Sequence, residues 1–586
     1  MCGIIGCVSD ADVVEVLLDG LKNMEYRGYD SAGFGVHDGN TIRVSKGVGR
    51  VEEVARTLDL RSFSGKIGLA HTRWATHGGV TPENAHPHLS CGGEVAVVHN
   101  GIIENYQAIK AWLESKGHIF RSTTDTEVIP HLIEEKLKAG SNHREAVLDA
   151  VKELSGSYAF LVLFKDLCDR LYGVRKDAPL IIGLSERGNF LASDVLSFLK
   201  YTNKAVFLEN LEVAEVRRDG YTIWNFEGEE VQRNISTLEW ESMTISKKEF
   251  THYTLKEIHE QRETIALAFR QDSEDLDRFC LALQGAERIY IIGAGTSYHA
   301  ALIAKHLLLN LAKLPVEVIL ASEFEDYATI IEEGTVILAI SQSGETADVL
   351  SAVNIAKERG ASVLSIVNTP SSTLARESEQ TLYLNCGPEV GVAATKTFTA
   401  QLAVIYSITS RLSNLSINLK RITEAVREVF NVERQIAYLA QVFSTSKDCY
   451  FIGRGINYPI ALEGALKLKE LAYVHAEGLA AGELKHGTLA LISEGVPVIA
   501  LNPSDRTYNG TLSNVAEIKT RGGRVIGISD VENSLYDYHI KIPSVGRLFY
   551  PLIEVIPLQM FAYYSALERG QNPDYPRNLA KSVTVK

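Results

Sequence analysis

Met1-Cys2-Gly3-Ile4-Ile5-Gly6 opens the chain, and the reading of these six residues decides what the N-terminal third is. A small residue such as Cys in second place leaves the initiator methionine open to trimming. Trimming would give Cys2 a free α-amine and a thiol on one carbon skeleton. An α-amine titrates at about 7.7–8.0, so part of it is neutral near pH 7 and can take the thiol proton. The residue would then carry its own nucleophile and base. Gly3 and Gly6 would let an apolar strand bring this terminus close to other backbone. The same stretch also fits a strand with a buried structural cysteine, because free Cys is among the most buried residue types.

Downstream, short apolar runs at 4–8, 67–70, 95–99, 159–164, 180–184 and 205–208 read as strands. Two helical patterns, 13–24 and 126–138, interrupt them. Many strands with few helices predict stacked sheets with helices outside, an α+β layer architecture. Polar clusters sit between the runs: Arg27-Gly28-Tyr29-Asp30-Ser31, then His71-Thr72-Arg73-Trp74-Ala75-Thr76-His77-Gly78 with His86-Pro87-His88, then His99-Asn100-Gly101, and Thr124-Asp125-Thr126. Loops and strand ends on a rigid scaffold are where chemistry concentrates. Asn100-Gly101 also reads as a tight turn. His86-Pro87-His88 fits a turn held by Pro87. A metal at that pair would need further ligands at suitable spacing. None is evident, so no metal site is expected.

Together these clusters resemble the N-terminal-nucleophile glutamine amidotransferases, a family the matching pieces identify across nearly all of residues 1–240. The resemblance implies that Cys2 attacks the glutamine side-chain amide with its own α-amine moving the proton. Asn100 and the Gly101 N–H would form the oxyanion hole, and Arg73 would hold the substrate α-carboxylate. Asp125 would hold the α-ammonium, Trp74 would gate the pocket, and Thr76 and His77 would belong to the glutamine-binding loop.

Composition sets the class. The 586 residues are 45% hydrophobic and 23% charged, with a formal net charge of −14. That is an ordinary globular balance, and the acidic sign argues against a nucleic-acid partner. Seven cysteines without paired spacing predict a reduced, cytoplasmic protein. No signal peptide and no apolar run of about 18 residues is evident, so no membrane role is expected.

From Arg288 the pattern changes to short strands alternating with helices, at 289–292, 316–320, 336–340, 363–367 and 382–384. Alternation of this kind predicts βαβ units and a parallel sheet. The first strand runs into Gly293-Ala294-Gly295-Thr296-Ser297-Tyr298, a partial dinucleotide fingerprint with Tyr298 at its third glycine position. The third runs into Ser341-Gln342-Ser343-Gly344-Glu345-Thr346. Hydroxyls at the start of a helix fit a phosphate, or simple capping. The unit then repeats. Tyr450-Phe451-Ile452-Gly453-Arg454-Gly455 matches Tyr290-Ile291-Ile292-Gly293-Ala294-Gly295, and Gly293 to Ser341 spans 48 positions where Gly453 to Asn502 spans 49. The second turn has lost most of its hydroxyls, which places the phosphate in the first copy. In the second copy Glu463, Lys467 and Glu470 lie on one helical stripe amid leucines, which reads as a face turned to a cleft or as an exposed ion-pair face.

These motifs, with Val392-Ala393-Ala394-Thr395-Lys396 and the tail from Pro576, resemble tandem sugar-isomerase (SIS) domains. The expected organisation is a glutamine amidotransferase domain at 1–240, a helix-compatible linker at 241–285, a first sugar-isomerase domain at 286–430 and a second at 447–586 with a catalytic tail. By resemblance, ammonia from glutamine passes inside the protein to fructose 6-phosphate and glucosamine 6-phosphate forms. Thr296, Ser297, Ser341, Gln342, Ser343, Thr346, Val392 and Ala393 would hold the sugar phosphate. His486, from a partner subunit of a homodimer, would open the ring, and Lys581 would form a Schiff base at C2. Glu470 would move a proton between C1 and C2, with Lys467 assisting. No hydride moves, so neither a nicotinamide nor pyridoxal phosphate is implied. Two other readings stay open at this stage: another amidotransferase with the same N-terminal third, and a sugar-phosphate sensor with a vestigial glutaminase.

Overall fold

A computed structural model of the chain describes residues 2–75, 77–238, 247–370 and 372–584, with Arg61 described by its backbone alone. The chain divides into two compact units, Met1–Thr244 with Ser582–Lys586, and Ile245–Lys581.

In the first unit the opening stretch forms the strand Gly3–Ser9. It runs inside an eight-stranded sheet, antiparallel to Ile67–Arg73 and to Gly188–Ala192. The pleat sends Ile4 and Val8 to one face and Ile5 and Cys7 to the other. Ile4 and Val8 share a buried core with Val98, Leu161 and Leu171 of a second, seven-stranded antiparallel sheet. Gly6 is on this face, and a Cβ there would stand 2.8 Å from both Leu161 and Leu171. Its small size thus admits the side chains of the facing sheet, more than the neighbouring backbone that the sequence pointed to. On the opposite face Ile5 meets the helix Val14–Met24, where a Cβ on Gly20 would stand 2.3 Å from Ile5 Cδ1. Beyond the second sheet, the helices Val128–Lys138 and His143–Glu153 bury Ile129, Leu132 and Val147 against Val97 and Phe160. The layers are helix, sheet, sheet, helix.

Asn100-Gly101 is not a chain reversal. The pair continues the strand Val95–Ile103, with Asn100 opposite Ala159 and Gly101 opposite Tyr158 on Gly156–Phe164. The ladder overrides the dipeptide's turn preference. The glycine is required for space: its φ is +122° and a Cβ would lie 2.0 Å from the Ser157 carbonyl oxygen.

The second unit holds two parallel sheets. One contains Arg288–Gly293, Val316–Leu320, Thr335–Ser341, Ser362–Val367 and Gln380–Tyr383. The other contains Asp448–Gly453, His475–Ala480, Pro497–Leu501, Arg524–Ser529 and Tyr538–Lys541. Each has the spatial order second, first, third, fourth, fifth. The repeat reaches single atoms: a Cβ on Gly293 would lie 3.0 Å from the Ser297 backbone, and one on Gly453 2.4 Å from the Asn457 carbonyl oxygen. In the first sheet the helix Thr296–Leu307 covers the face bearing Ile289 and Ile291, while Ala347–Glu358 covers the face bearing Tyr290 and Ile292. The two helices leave adjacent strands towards opposite faces, which opens the crevice at a topological switch point where α/β sheets bind ligands.

The connecting region contributes the helices Tyr253–Ala268 and Ser273–Gly285, whose Ile258, Ile265, Phe279 and Leu283 enter the core of the second unit. The first of these has no capping side chain of its own. Asp574 accepts the N–H groups of Tyr253 and Thr254 at 2.9 and 2.8 Å and serves as its cap. No helix among the described residues is long and apolar enough to cross a membrane.

Candidate functional site

Cys2 lies at the edge of the strand it precedes, half-buried. The Trp74 N–H donates to its sulfur at 3.1 Å, and the Asn100 side-chain amide donates to its carbonyl oxygen at 2.9 Å. The amide faces this way because its other end is held. Its Oδ1 lies 3.1 Å from His71 Nε2, which also meets the His99 carbonyl at 3.0 Å. Two acceptors require a proton on Nε2. Burial pulls His71 down to about 3, so the ring is neutral and the Asn100 NH2 is left pointing at Cys2. Burial pushes the Cys2 thiol up, opposed by the charge of the chain's amino terminus, the Trp74 N–H and the Arg73 guanidinium. Gly28 is needed beside this contact, since a Cβ there would stand 2.9 Å from the Arg73 and Trp74 backbone.

Arg73 ends its strand and is buried. Its guanidinium donates to the carbonyls of His77, Gly78 and Gly79, the last at 3.1 Å, and so shapes the loop after Trp74. Cys2, Asp125 and Asp30 are the charges that favour its cationic form against burial. The Trp74 ring meets the edge of Tyr29 at 5.7 Å, and Asp30 accepts the Ala75 N–H at 3.0 Å. His77 is half-buried, with its ring 6.0 Å from that of Tyr106. Thr76 lies outside the described residues.

His86 and His88 belong to a buried histidine cluster. His71 stacks on His86 at 4.1 Å, and His86 lies 4.8 Å from His88. Burial lowers all three, and His99 as well, so the cluster is neutral. It positions the third motif. Thr126 Oγ1 is 2.8 Å from His99 Nδ1, Thr124 Oγ1 is 3.2 Å from His88 Nε2, and Asp125 between them accepts the Ile103 N–H at 2.8 Å. The fold thus gathers Cys2, Arg73, Trp74, Asn100, Gly101 and Asp125 about one strand end. His71 was missed as a positioning residue in the sequence, where only its place two before Arg73 hinted at it.

In the second unit the turn after Thr335–Ser341 is folded on its own hydroxyls. Ser341 Oγ accepts the Gly344 N–H at 3.1 Å and lies 3.4 Å from Thr346 Oγ1, while Ser343 Oγ accepts the Glu345 N–H at 3.2 Å. Thr346 precedes the helix Ala347–Glu358 without a side-chain capping bond, so its hydroxyl is not spent on capping. Gln342 shares this turn. Thr296 begins the helix on the adjacent strand. The matching turn of the second copy is acidic: Asn457 donates to Asp505 at 3.0 Å, and Thr507 donates to the same carboxylate at 2.6 Å. A carboxylate at a helix start disfavours an anion there.

The Glu463 stripe is buried. Glu463 and Lys467 have no exposed side-chain area, with Lys467 Nζ 3.3 Å from Glu463 and 2.6 Å from Glu470. Lys467 donates to Thr296 Oγ1 at 3.1 Å, Thr296 to Glu463 at 3.1 Å, and His299 Nδ1 lies 2.7 Å from Glu463. The stripe of the second copy therefore closes on the helix start of the first. The Thr296 hydroxyl at that helix start is thus bonded to both Lys467 and Glu463. Ser297 is buried and accepts from Gln401 at 2.9 Å.

Lys581 is held by a residue the sequence did not single out. It pairs with Glu389 and donates to the Gly391 carbonyl at 2.8 Å. Glu389 also accepts from the Thr395 and Thr397 N–H groups at 2.9 and 3.1 Å. Burial raises Glu389, but the Lys581 charge and these donors outweigh it and hold the carboxyl at about 2. Val392 and Ala393 lie buried on the same segment. His486 ends the turn Ala481–His486 and is exposed.

Residues 282–411 and 443–569 match the SIS domain family, and residues 71–200 match a glutamine amidotransferase domain family. Over 598 aligned residues the chain is 45% identical to the glutamine–fructose-6-phosphate aminotransferase (isomerizing) of Pyrococcus horikoshii, covering 100% of each chain. It is 44% identical over 602 residues, again covering 100% of each, to that of Thermococcus kodakarensis. Among solved structures it is similar to the C-terminal domain of glucosamine-fructose-6-phosphate aminotransferase from Francisella tularensis, at a TM-score of 0.53 and 34% identity over 56% of this chain and 99% of that one. An amidotransferase domain followed by two SIS domains, matched over the full length at 44–45% identity, shows that the chain belongs to the family of glutamine–fructose-6-phosphate aminotransferases (isomerizing).

Proposed function

We propose that the chain converts fructose 6-phosphate and glutamine to glucosamine 6-phosphate and glutamate in the cytoplasm, as a homodimer. Cys2 of the trimmed chain attacks the glutamine carboxamide carbon, and its α-amine takes the thiol proton and passes it to the leaving nitrogen. Ammonia departs, a thioester remains, and water cleaves it to glutamate. The oxyanion of each tetrahedral intermediate is received by the Asn100 amide and the Gly101 N–H. Arg73 takes the α-carboxylate, where a guanidinium fork suits the ligand, and Asp125 takes the α-ammonium. Trp74 gates the pocket, and Thr76 and His77 take part in binding glutamine.

The phosphate of the ketose sits in the turn of Ser341, Gln342, Ser343 and Thr346 at the helix N-terminus, with Thr296, Ser297, Val392 and Ala393 lining the same crevice. His486 of the partner subunit opens the ring. Lys581 condenses with C2 and releases water, ammonia reaching it inside the protein displaces the lysine, and Glu470 carries a proton from C1 to C2 with Lys467 beside it. Lys581 is drawn from Glu389 to the substrate in the first of these steps.

The observation that carries the reading is the orientation of Asn100: a neutral His71 fixes its amide so that the NH2 faces Cys2. The test is incubation with amide-labelled glutamine and fructose 6-phosphate. Label in the amino sugar, with equal glutamate, is the expected result; glutamate with no amino sugar overturns it. Cys2→Ala is expected to abolish glutamine use and keep ketose–aldose turnover of the phosphosugar. Mass spectrometry of active material is expected to find Cys2 first in the chain. Met1 itself lies outside the described residues.

A further inference from the structure

A second cluster, separate from the Cys2 residues, has the donors and spacing of a metal centre. Cys91 Sγ stands 3.6 Å from His118 Nδ1 and 3.6 Å from His131 Nδ1, and the two Nδ1 atoms are 3.1 Å apart. Glu134 brings an oxygen 3.5 Å from His118 Nδ1, and all four donor atoms fall within 4.8 Å of one another. Ligands at zinc bond lengths of about 2.3 Å to sulfur and about 2.0–2.1 Å to nitrogen, set at a tetrahedral angle, lie about 3.3–3.6 Å apart. These four separations, 3.1 to 3.6 Å, therefore already match a shared ion to within a few tenths of an ångström.

The surroundings point the same way. Both imidazoles are buried, at 5% and 1% exposure. Each turns its far nitrogen towards a carboxylate: Glu135 Oε1 is 2.9 Å from His118 Nε2, and Glu127 Oε1 is 3.6 Å from His131 Nε2. A carboxylate close behind the ring, as Glu135 is behind His118, is the arrangement that supports metal-bound histidines. The two Nδ1 atoms face each other at 3.1 Å, a distance that a proton on one ring or a shared cation would hold. The sulfur accepts the Ile119 N–H at 3.3 Å, which fixes its position, and Cys91 is exposed, which gives an ion its way in.

We propose that Cys91, His118, His131 and Glu134 bind one zinc-type divalent ion, with Glu134 as the fourth ligand. The donors come from three places: the turn between His88–Leu89 and Val95–Ile103, the turn after Tyr106–Ser115, and the helix Val128–Lys138. An ion there ties these segments together and fixes the loop that leads to Asp125. The role is structural, because the set offers four protein ligands and leaves no open position for substrate.

The test uses the full-length chain carrying no histidine tag. It is loaded with zinc, dialysed into metal-free buffer and assayed for metal, with cobalt(II) as a spectroscopic stand-in. One zinc per chain is expected, with intense tetrahedral cobalt bands and a sulfur-to-cobalt charge-transfer band. Cys91→Ser and His118→Gln are each expected to cut retained zinc at least tenfold, while Cys2→Ala keeps it. Folded chain that holds no zinc, or gives only weak octahedral cobalt bands, overturns the proposal. So does undiminished zinc in Cys91→Ser. If a variant misfolds, the cobalt spectrum of the unaltered chain decides.

Discussion

Asn100 shows how one side chain acquires direction from its neighbours. An amide can present either end, and here His71 takes the oxygen, so the NH2 is committed to Cys2. Asn100→Ala is expected to lower glutaminase kcat by about 10²–10³, the usual cost of one oxyanion donor, with ketose isomerisation unchanged. Separate kinetics of the two half-reactions check it, and an equal loss in both would place Asn100 in folding instead. Asn100 was legible as a candidate from its motif. Its orientation was not, because His71 lies 29 positions away and nothing in a motif says which end of an amide it meets.

The strand ends and turns that carry the sites are stabilised by buried ionisable groups, and these have a direction in pH. Burial lowers His71, His86, His88 and His99 below the value of about 6.5 that an unfolded histidine has. At mildly acid pH the unfolded chain then binds protons that the folded one refuses. Their contribution is full above about 6.5 and declines as pH falls, for His71 until about 3, by up to about 1.4 kcal/mol per pH unit for each histidine. Calorimetry of the first unit's transition at pH 7 and pH 5 measures this; no shift would contradict the neutral cluster. Glu389 titrates lower still. Its folded value of about 2 lies below the unfolded value of about 4.3, so its contribution is present above 4.3 and lost as pH falls towards 2. Glu389→Gln leaves the buried Lys581 ammonium without its partner and is expected to cost about 3–5 kcal/mol by urea unfolding at pH 7. A change under 1 kcal/mol would mean that the lysine finds water instead. Among the elements themselves, Gly3–Ser9, Ile67–Arg73, Val95–Ile103 and the strands of the first parallel sheet were readable from apolar runs, while Ser31–His37 and Gly188–Ala192 beside them were not. His475–Ala480 and Tyr538–Lys541 were not, being short and polar, and they are strands because the repeat supplies a neighbour with which to pair.

Each unit has its own buried cores, one pair between and outside the antiparallel sheets and another set around the parallel ones. A fragment of residues 1–240 is therefore expected to fold and hydrolyse glutamine while making no amino sugar. Circular dichroism and a glutamate assay check this, and an unfolded fragment would show that its core depends on the remainder. The order of chemistry along the chain is a matter of local pattern: a thiol at position 2, hydroxyl-rich turns after apolar strands, and a second turn stripped of those hydroxyls. Such features survive in sequence because they depend on residues close together. Pairings across long separations do not. Lys581 with Glu389, Lys467 with Thr296, and Cys91 with His118 and His131 are 192, 171, 27 and 40 positions apart. Spacing carries no record of them, since what brings them together is the stacking of sheets and the closing of one repeat on the other, and only the folded chain decides which charges meet out of water.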